Sequence, residues 1–364
     1  MIEEAAVDVK HGVTDRLTIE WDTYTPHPTV QKAVDYLNQR SPETILEEIP
    51  AANIYRGKRV SFDYRVYGAF DSGDVKRVYV LLDGFGVSAG SPDSGVKNLL
   101  TDLLLSQTEH QQYAVLVIGG LFSFPHSVRT RLFRQGYGAL AVVADDIVDM
   151  LQAKFGACQT VTVSGYSLGG VLAPLVARAV IRRGVAAVEQ VCCGEPSFAA
   201  ASATRLELLT RVAHSTNYRN EQIKSTAIRP YIAIKTAPDS TWAMLLYRAK
   251  QYRPLCKRLL SMHLVVQDLA LQARKYPPAS HDIQIQEALI YLMSKGIRVN
   301  LLHAEFSSLC HNEPFTQLIE KLVSARTGTI LVITITGTKA DHGIEERRTL
   351  SAPFLVKPEL YLSC

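Results

Sequence analysis

A serine flanked by glycines two residues away on either side stands at Gly165-Tyr-Ser167-Leu-Gly169. The β-branched run Thr160-Val-Thr-Val enters this stretch directly, and the small apolar run from Gly170 to Val180 leaves it directly. A strand that feeds a helix through so short a turn forces strained backbone angles on the residue at its tip. The neighbours two before and two after must then lack side chains for the turn to close. Such a turn lifts the hydroxyl over the end of a sheet and beside a helix N-terminus, where backbone N–H groups can stabilise a developing oxyanion. Serine by itself is a weak nucleophile at neutral pH. It needs a base within hydrogen-bond reach, and imidazole suits that task by its pKa. The chemistry this pattern could perform is acyl transfer through a covalent serine intermediate.

In its strand–turn–helix setting, Gly165-Tyr-Ser-Leu-Gly-Gly170 resembles the nucleophile elbow of the α/β-hydrolase superfamily. The order of parts fits that family from about residue 58 to 350, which is most of the chain. The resemblance implies further roles. Leu82-Asp83-Gly84-Phe85-Gly86 ends an apolar strand where the family has a His-Gly-aromatic turn, so Phe85 N–H is the implied first oxyanion donor and Leu168 N–H the second. Asp83 stands where His is usual, a departure that leaves a backbone role intact. At the other end, Thr338-Lys-Ala-Asp-His342-Gly343 follows the last strand, which makes His342 the implied general base. The acid fits the pattern least. The family register after the strand Arg298-Val-Asn-Leu-Leu-His-Ala falls on Ser307, which cannot supply charge to an imidazolium. Glu305 is the first candidate, Glu195 in Cys193-Gly-Glu-Pro the second and Asp239 the third. Asp341 is adjacent to His342, and neighbouring side chains rarely meet in the needed geometry.

These residues need a scaffold, and the chain supplies a rhythm for one. Arg77-Val-Tyr-Val-Leu-Leu, Tyr113-Ala-Val-Leu-Val-Ile, Thr160-Val-Thr-Val and Val188-Glu-Gln-Val-Cys-Cys are short apolar runs. Helical stretches separate them, notably Gly136 to Lys154 and Leu168 to Arg183. The rhythm resumes with a strand from Ile297, a helix from Glu313 to Ala325 and a strand from Thr329. Near-continuous Val/Ile/Leu runs alternating with helices predict a doubly wound, mostly parallel α/β sheet covered on both faces. Upstream, Leu17 to Trp21 and Val60 to Tyr67 read as strands around a helix from Thr29 to Asn38. From about residue 199 to 295 the pattern is helical apart from Tyr231 to Lys235. The expected organisation is therefore a core from 1–198 and 296–364 with an inserted helical cap at 199–295. Within the cap, Trp242 to Lys275 carries seven Arg/Lys against the single Asp268. It reads either as a lid over an acyl pocket or as a helix pair with a solvated basic face.

Composition narrows the classes. A chain of 364 residues with 47% hydrophobic and 20% charged residues can bury a large core. A net charge of +4, with neither half strongly basic, argues against nucleic acid as the main partner. The acidic, polar start lacks a secretory signal, and no apolar run is long enough to span a bilayer. The six cysteines show neither CxxC nor metal-ligand spacing, as expected for free thiols of a cytoplasmic protein. The sequence thus points to a cofactor-free serine acyl hydrolase acting on a small or lipid-like ester or thioester. An acyltransferase of the same fold and a non-catalytic binding scaffold are the competing readings. Serine at 167 excludes the branch of the fold that uses a carboxylate nucleophile.

Overall fold

The computed structural model describes residues 13–68, 75–84, 87–106, 112–120, 138–156, 158–196, 279–305, 312–325, 328–337 and 348–361. Nine strands form one sheet. They are β1 (Val13–Glu20), β2 (Asn53–Arg56), β3 (Ser61–Gly68), β4 (Arg77–Leu82), β5 (Tyr113–Gly119), β6 (Thr160–Tyr166), β7 (Ala187–Gly194), β8 (Arg298–Ala304) and β9 (Thr329–Thr336). Their spatial order is β1-β9-β8-β7-β6-β4-β5-β3-β2. The seven strands from β1 to β5 in that order are parallel, whereas at one edge β3 runs antiparallel to β5 and β2 antiparallel to β3.

The eight helices given for the described residues are α1 (Pro28–Asn38), α2 (Pro42–Glu48), α3 (Pro92–Ser106), α4 (Gly138–Phe155), α5 (Leu168–Arg182), α6 (Ala279–Ser294), α7 (Asn312–Ser324) and α8 (Arg348–Val356). One face of the sheet is closed by α4 to α7, through side chains such as Ile147, Leu172, Leu289 and Leu322. The other carries α1, α3 and α8, through Val30, Leu100 and Phe354. Strand β4 shows why its sequence reads as an unbroken apolar run: Val78, Val80 and Leu82 join the first core while Tyr79 and Leu81 join the second. A strand covered on both faces has no polar side to alternate with.

This is the α/β-hydrolase fold, set by the strand order and by helices on both faces. Among the described residues, the predicted strands and helices recur within a few residues of their expected bounds. The first strand adds a contact the sequence could not announce: β1 pairs along the whole of β9, Val13 against Thr329 through Glu20 against Thr336. Helix α8 is fastened to the sheet by polar bonds, since Ser164 Oγ donates to Leu355 O and Gln190 Nε2 to Val356 O. Of the span 199–295 expected as a cap, 199–278 lies outside the described residues, including the run at Tyr231 to Lys235 and the basic stretch 242–275. Its remainder includes α6, which packs against α5 and β8.

Sheet order also fixes where a site belongs. The chain runs from β4 outward to β5, then returns to place β6 on β4's other side. Strand order reverses there, and in such sheets the crevice beyond the carboxyl ends at the reversal is the natural ligand site. Ser167 follows β6 at that end.

Candidate active site

Ser167 has φ 57 and ψ −118, a conformation that side chains other than glycine's seldom adopt. It occupies the N-cap of α5, yet its hydroxyl makes no capping bond to that helix. Its N–H donates to Gly194 O at 2.8 Å, and its carbonyl accepts from Val171 N at 3.2 Å. The turn is held from both sides. The flanking glycines are sterically required: a Cβ at Gly165 would press into the carbonyl oxygen of Gly169, and one at Gly169 into that of Leu82. A Cβ at Gly170 would come within 2.8 Å of Gly194 O. Beta strand, turn and helix approach so closely here that only hydrogen atoms fit between them.

Leu168 opens α5, so its N–H is one of the first four with no intrahelical acceptor, and the helix adds its positive end to the same place. Ser167 itself is buried, with 6% of its surface exposed. Phe85, His342 and Asp239 lie outside the described residues, as do Ser307 and Asp341.

The two described acid candidates differ in setting. Glu305 follows β8, is half-buried, and donates its N–H to Ile335 O at 2.8 Å. Glu195 follows β7 and is fully buried. Its φ of 43 makes it, with Ser167, one of the two non-glycine residues of positive φ among those described. Its Oε1 accepts from Ala304 N and lies 3.4 Å from His303 Nδ1, and the His303 ring stacks on Phe315 with centroids 4.3 Å apart.

Asp83, noted in the sequence only as a departure, holds the carboxyl end of β4 to α3. Lys97 Nζ stands 3.1 Å from its Oδ1, and Ser94 Oγ donates to its Oδ2 at 2.6 Å. Asn98 Nδ2 donates in turn to Ser94 Oγ, while Asp83 N donates to Ile118 O. The following segment is fixed from the opposite side. Ser88 Oγ and Ala89 N donate to Asp63, Arg65 Nη2 donates to Gly90 O, and Gly120 N donates to Val87 O. The stretch on either side of position 85 is thereby anchored to β3, β5 and α3. Sequence reasoning passed over Lys97 and its partners. One signal was visible: Ser94, Lys97, Asn98 and Thr101 recur at i, i+3, i+4 and i+7, a polar stripe at helical spacing, and all four are buried.

Cys192 and Cys193, expected to pack as small hydrophobes, are buried at the end of β7. Burial pushes the Cys192 thiol up to about 12, partly countered by hydrogen bonds with Ser164 and Asn300. Burial likewise raises Cys193 well above the usual thiol range. Both are held in the thiol form, whereas the reactive form is the thiolate. Among the described residues no group of three or more His, Cys, Asp or Glu could hold a metal ion, and no helix is long and apolar enough to cross a membrane.

No family model matches the chain, and no curated protein matches it in sequence. Among solved structures it is similar to an esterase of Pyrobaculum calidifontis, at 15% identity and a TM-score of 0.47 over 94% of this chain and 93% of that one. It is similar to brefeldin A esterase, a bacterial homologue of human hormone sensitive lipase, at 13% identity and 0.46 over 93% and 86%. It is also similar to acylaminoacyl peptidase of Pyrococcus horikoshii, at 11% identity and 0.46, where 89% of this chain spans 43% of that one. These distant likenesses assign no residue. The strand order defines an α/β-hydrolase fold, in which Ser167 stands at the tip of the strand-to-helix turn after β6.

Proposed function

We propose that this chain is a serine-dependent acyl hydrolase acting on an ester or thioester. The observation that carries the reading is the backbone at Ser167: φ 57 at the tip of a strand-to-helix turn, with Gly165 and Gly169 pressed against carbonyl groups. A purely structural turn gains nothing from serine in a left-handed conformation, where glycine would rest without strain. A nucleophile must project from the sheet end, and this conformation provides that projection.

In the proposed reaction Ser167 Oγ bonds to the acyl carbon while His342 takes the hydroxyl proton. The carbonyl π electrons move to oxygen, and the N–H groups of Phe85 and Leu168 hold that oxyanion. Collapse breaks the bond to the alcohol or thiol, which leaves with the proton from His342. Water then repeats the sequence on the acyl-enzyme and releases the carboxylic acid. Glu305 steadies the imidazolium. Its support is position: it follows β8, the strand after which the fold's pattern puts the acid, and its N–H is bonded to β9, the strand that leads toward His342.

The test is covalent. An alkyl fluorophosphonate should label the folded chain at Ser167 and leave Ser167→Ala unlabelled, and the unmodified chain should hydrolyse p-nitrophenyl butyrate. A folded chain that neither labels nor turns over would leave the fold as a scaffold without this chemistry.

A further inference from the structure

A row of hydrogen bonds crosses the carboxyl ends of four strands. Ser167 N donates to Gly194 O on β7, Glu195 N donates to Leu302 O on β8, and Glu305 N donates to Ile335 O on β9, each at 2.8 Å. Ala304 N closes the row by donating back to Oε1 of Glu195. Glu195 is thus bonded to β8 twice, once through its backbone and once through its side chain. It immediately follows the carbonyl that receives the N–H of Ser167, and its side chain seizes the residue just before Glu305.

Three features say that this arrangement is imposed rather than incidental. Glu195 shares with Ser167 a left-handed backbone that a carboxylate-bearing residue adopts only when its surroundings demand it. Gly194 before it admits no side chain, since a Cβ there would lie 2.6 Å from Tyr166 Cδ2. The carboxylate is 0% exposed, with His303 Nδ1 3.4 Å from the oxygen that Ala304 engages.

We propose that Glu195 is a positioning residue: its carboxylate holds the end of β8, and with it Glu305, level with the Ser167 turn. The proposal rests on Ser167 being the nucleophile and Glu305 its acid. It makes a chemical distinction. What Glu195 contributes is an acceptor oxygen at a fixed height, which glutamine also has; a charge partner for His342 could not be replaced so.

The experiment compares the full chain with Glu195→Gln, Glu195→Ala, Glu195→Asp and Glu305→Gln, using p-nitrophenyl butyrate kinetics and fluorophosphonate labelling rates. Glu195→Gln should keep kcat within about threefold and preserve the pH profile. Glu195→Ala should lose about a hundredfold in kcat at nearly constant KM, the cost of misplacing a catalytic group by roughly 1 Å. Glu305→Gln should lose a thousandfold or more, as triad acids do in order of magnitude. Should Glu195→Ala fold poorly, Glu195→Asp draws the acceptor back by one methylene and should show a smaller kcat loss at unchanged KM. A glutamine variant as inactive as the alanine one, beside a nearly active Glu305→Gln, would overturn the proposal and make Glu195 the acid. Wild-type rates for Glu195→Ala or Glu195→Asp would overturn it too. A chain that never labels at Ser167 would instead sink the hydrolase reading. The positioning claim is then read by amide exchange: Ala304 and Glu305 N–H should lose protection in Glu195→Ala and keep it in Glu195→Gln, and equal protection in both refutes it.

Discussion

Replacing Lys97 with methionine removes one charge from a pair that is almost entirely buried. The side chains of Lys97 and Asp83 are 9% and 3% exposed, and Nζ lies 3.1 Å from Oδ1. At an effective dielectric constant of about 20 the two charges attract by roughly 5 kcal/mol at that distance. Desolvation offsets much of this in the intact protein, but the methionine variant keeps the desolvated carboxylate and loses its counter-charge. Breaking one side of a buried pair costs about 3–5 kcal/mol. Ser94 Oγ, which still donates to Asp83, favours the lower end. The variant Asp83→Asn/Lys97→Met discards both charges while keeping an acceptor for Ser94, so it should lose only about 1–2 kcal/mol. Urea unfolding of the wild type, both single variants and the double variant closes the cycle, with an expected coupling of about 2 kcal/mol or more. A loss under about 1 kcal/mol for Lys97→Met, or additive single losses, would refute the reasoning that this pair shares one dry environment.

Glycine-to-alanine changes at 165 and 169 should abolish folded protein, judged by soluble yield and circular dichroism, because the new methyl meets backbone carbonyls that cannot retreat. Gly156→Ala, with nothing within 4 Å, should cost only about 1 kcal/mol for its left-handed φ of 61. Asp146→Ala should destabilise by about 2–4 kcal/mol in chemical denaturation. Asp146 Oδ2 accepts from both Arg59 N at 2.8 Å and Val60 N at 2.7 Å, and both donors would lose their acceptor. The buried thiols predict a falling stability in alkali. Cys192 keeps its proton up to about 12 when folded, whereas the unfolded chain releases it near the ordinary thiol value of 9.0. Above that value the unfolded state binds fewer protons, so unfolding becomes easier as pH rises, by roughly 1 kcal/mol per unit from this thiol until about pH 12. Cys192→Ala should flatten the slope between pH 9 and 11, and an unchanged slope would contradict the assignment.

The local sequence by itself determined the elements and the turn. A run such as Val78 to Leu82 is apolar at every position because both faces of its strand are covered, and this pattern is readable without coordinates. Gly165 and Gly169 were legible from their spacing about Ser167, although the carbonyls that exclude a Cβ there belong to Gly169 itself and, from another strand, to Leu82. What lay beyond sequence were the decisions made between distant segments. The pairing of β1 with β9 joins residues more than 300 apart, and the buried pair Asp83–Lys97 joins a strand end to the face of a helix whose polar stripe resembles a solvated one. Glu195 and Glu305 carry the same carboxylate on strand ends. Only the tertiary structure distinguishes them, by folding the first beneath its neighbours and committing its oxygen to the backbone of β8. A side chain's chemistry is written in its type, whereas its role depends on what surrounds it, and those surroundings come from the whole chain.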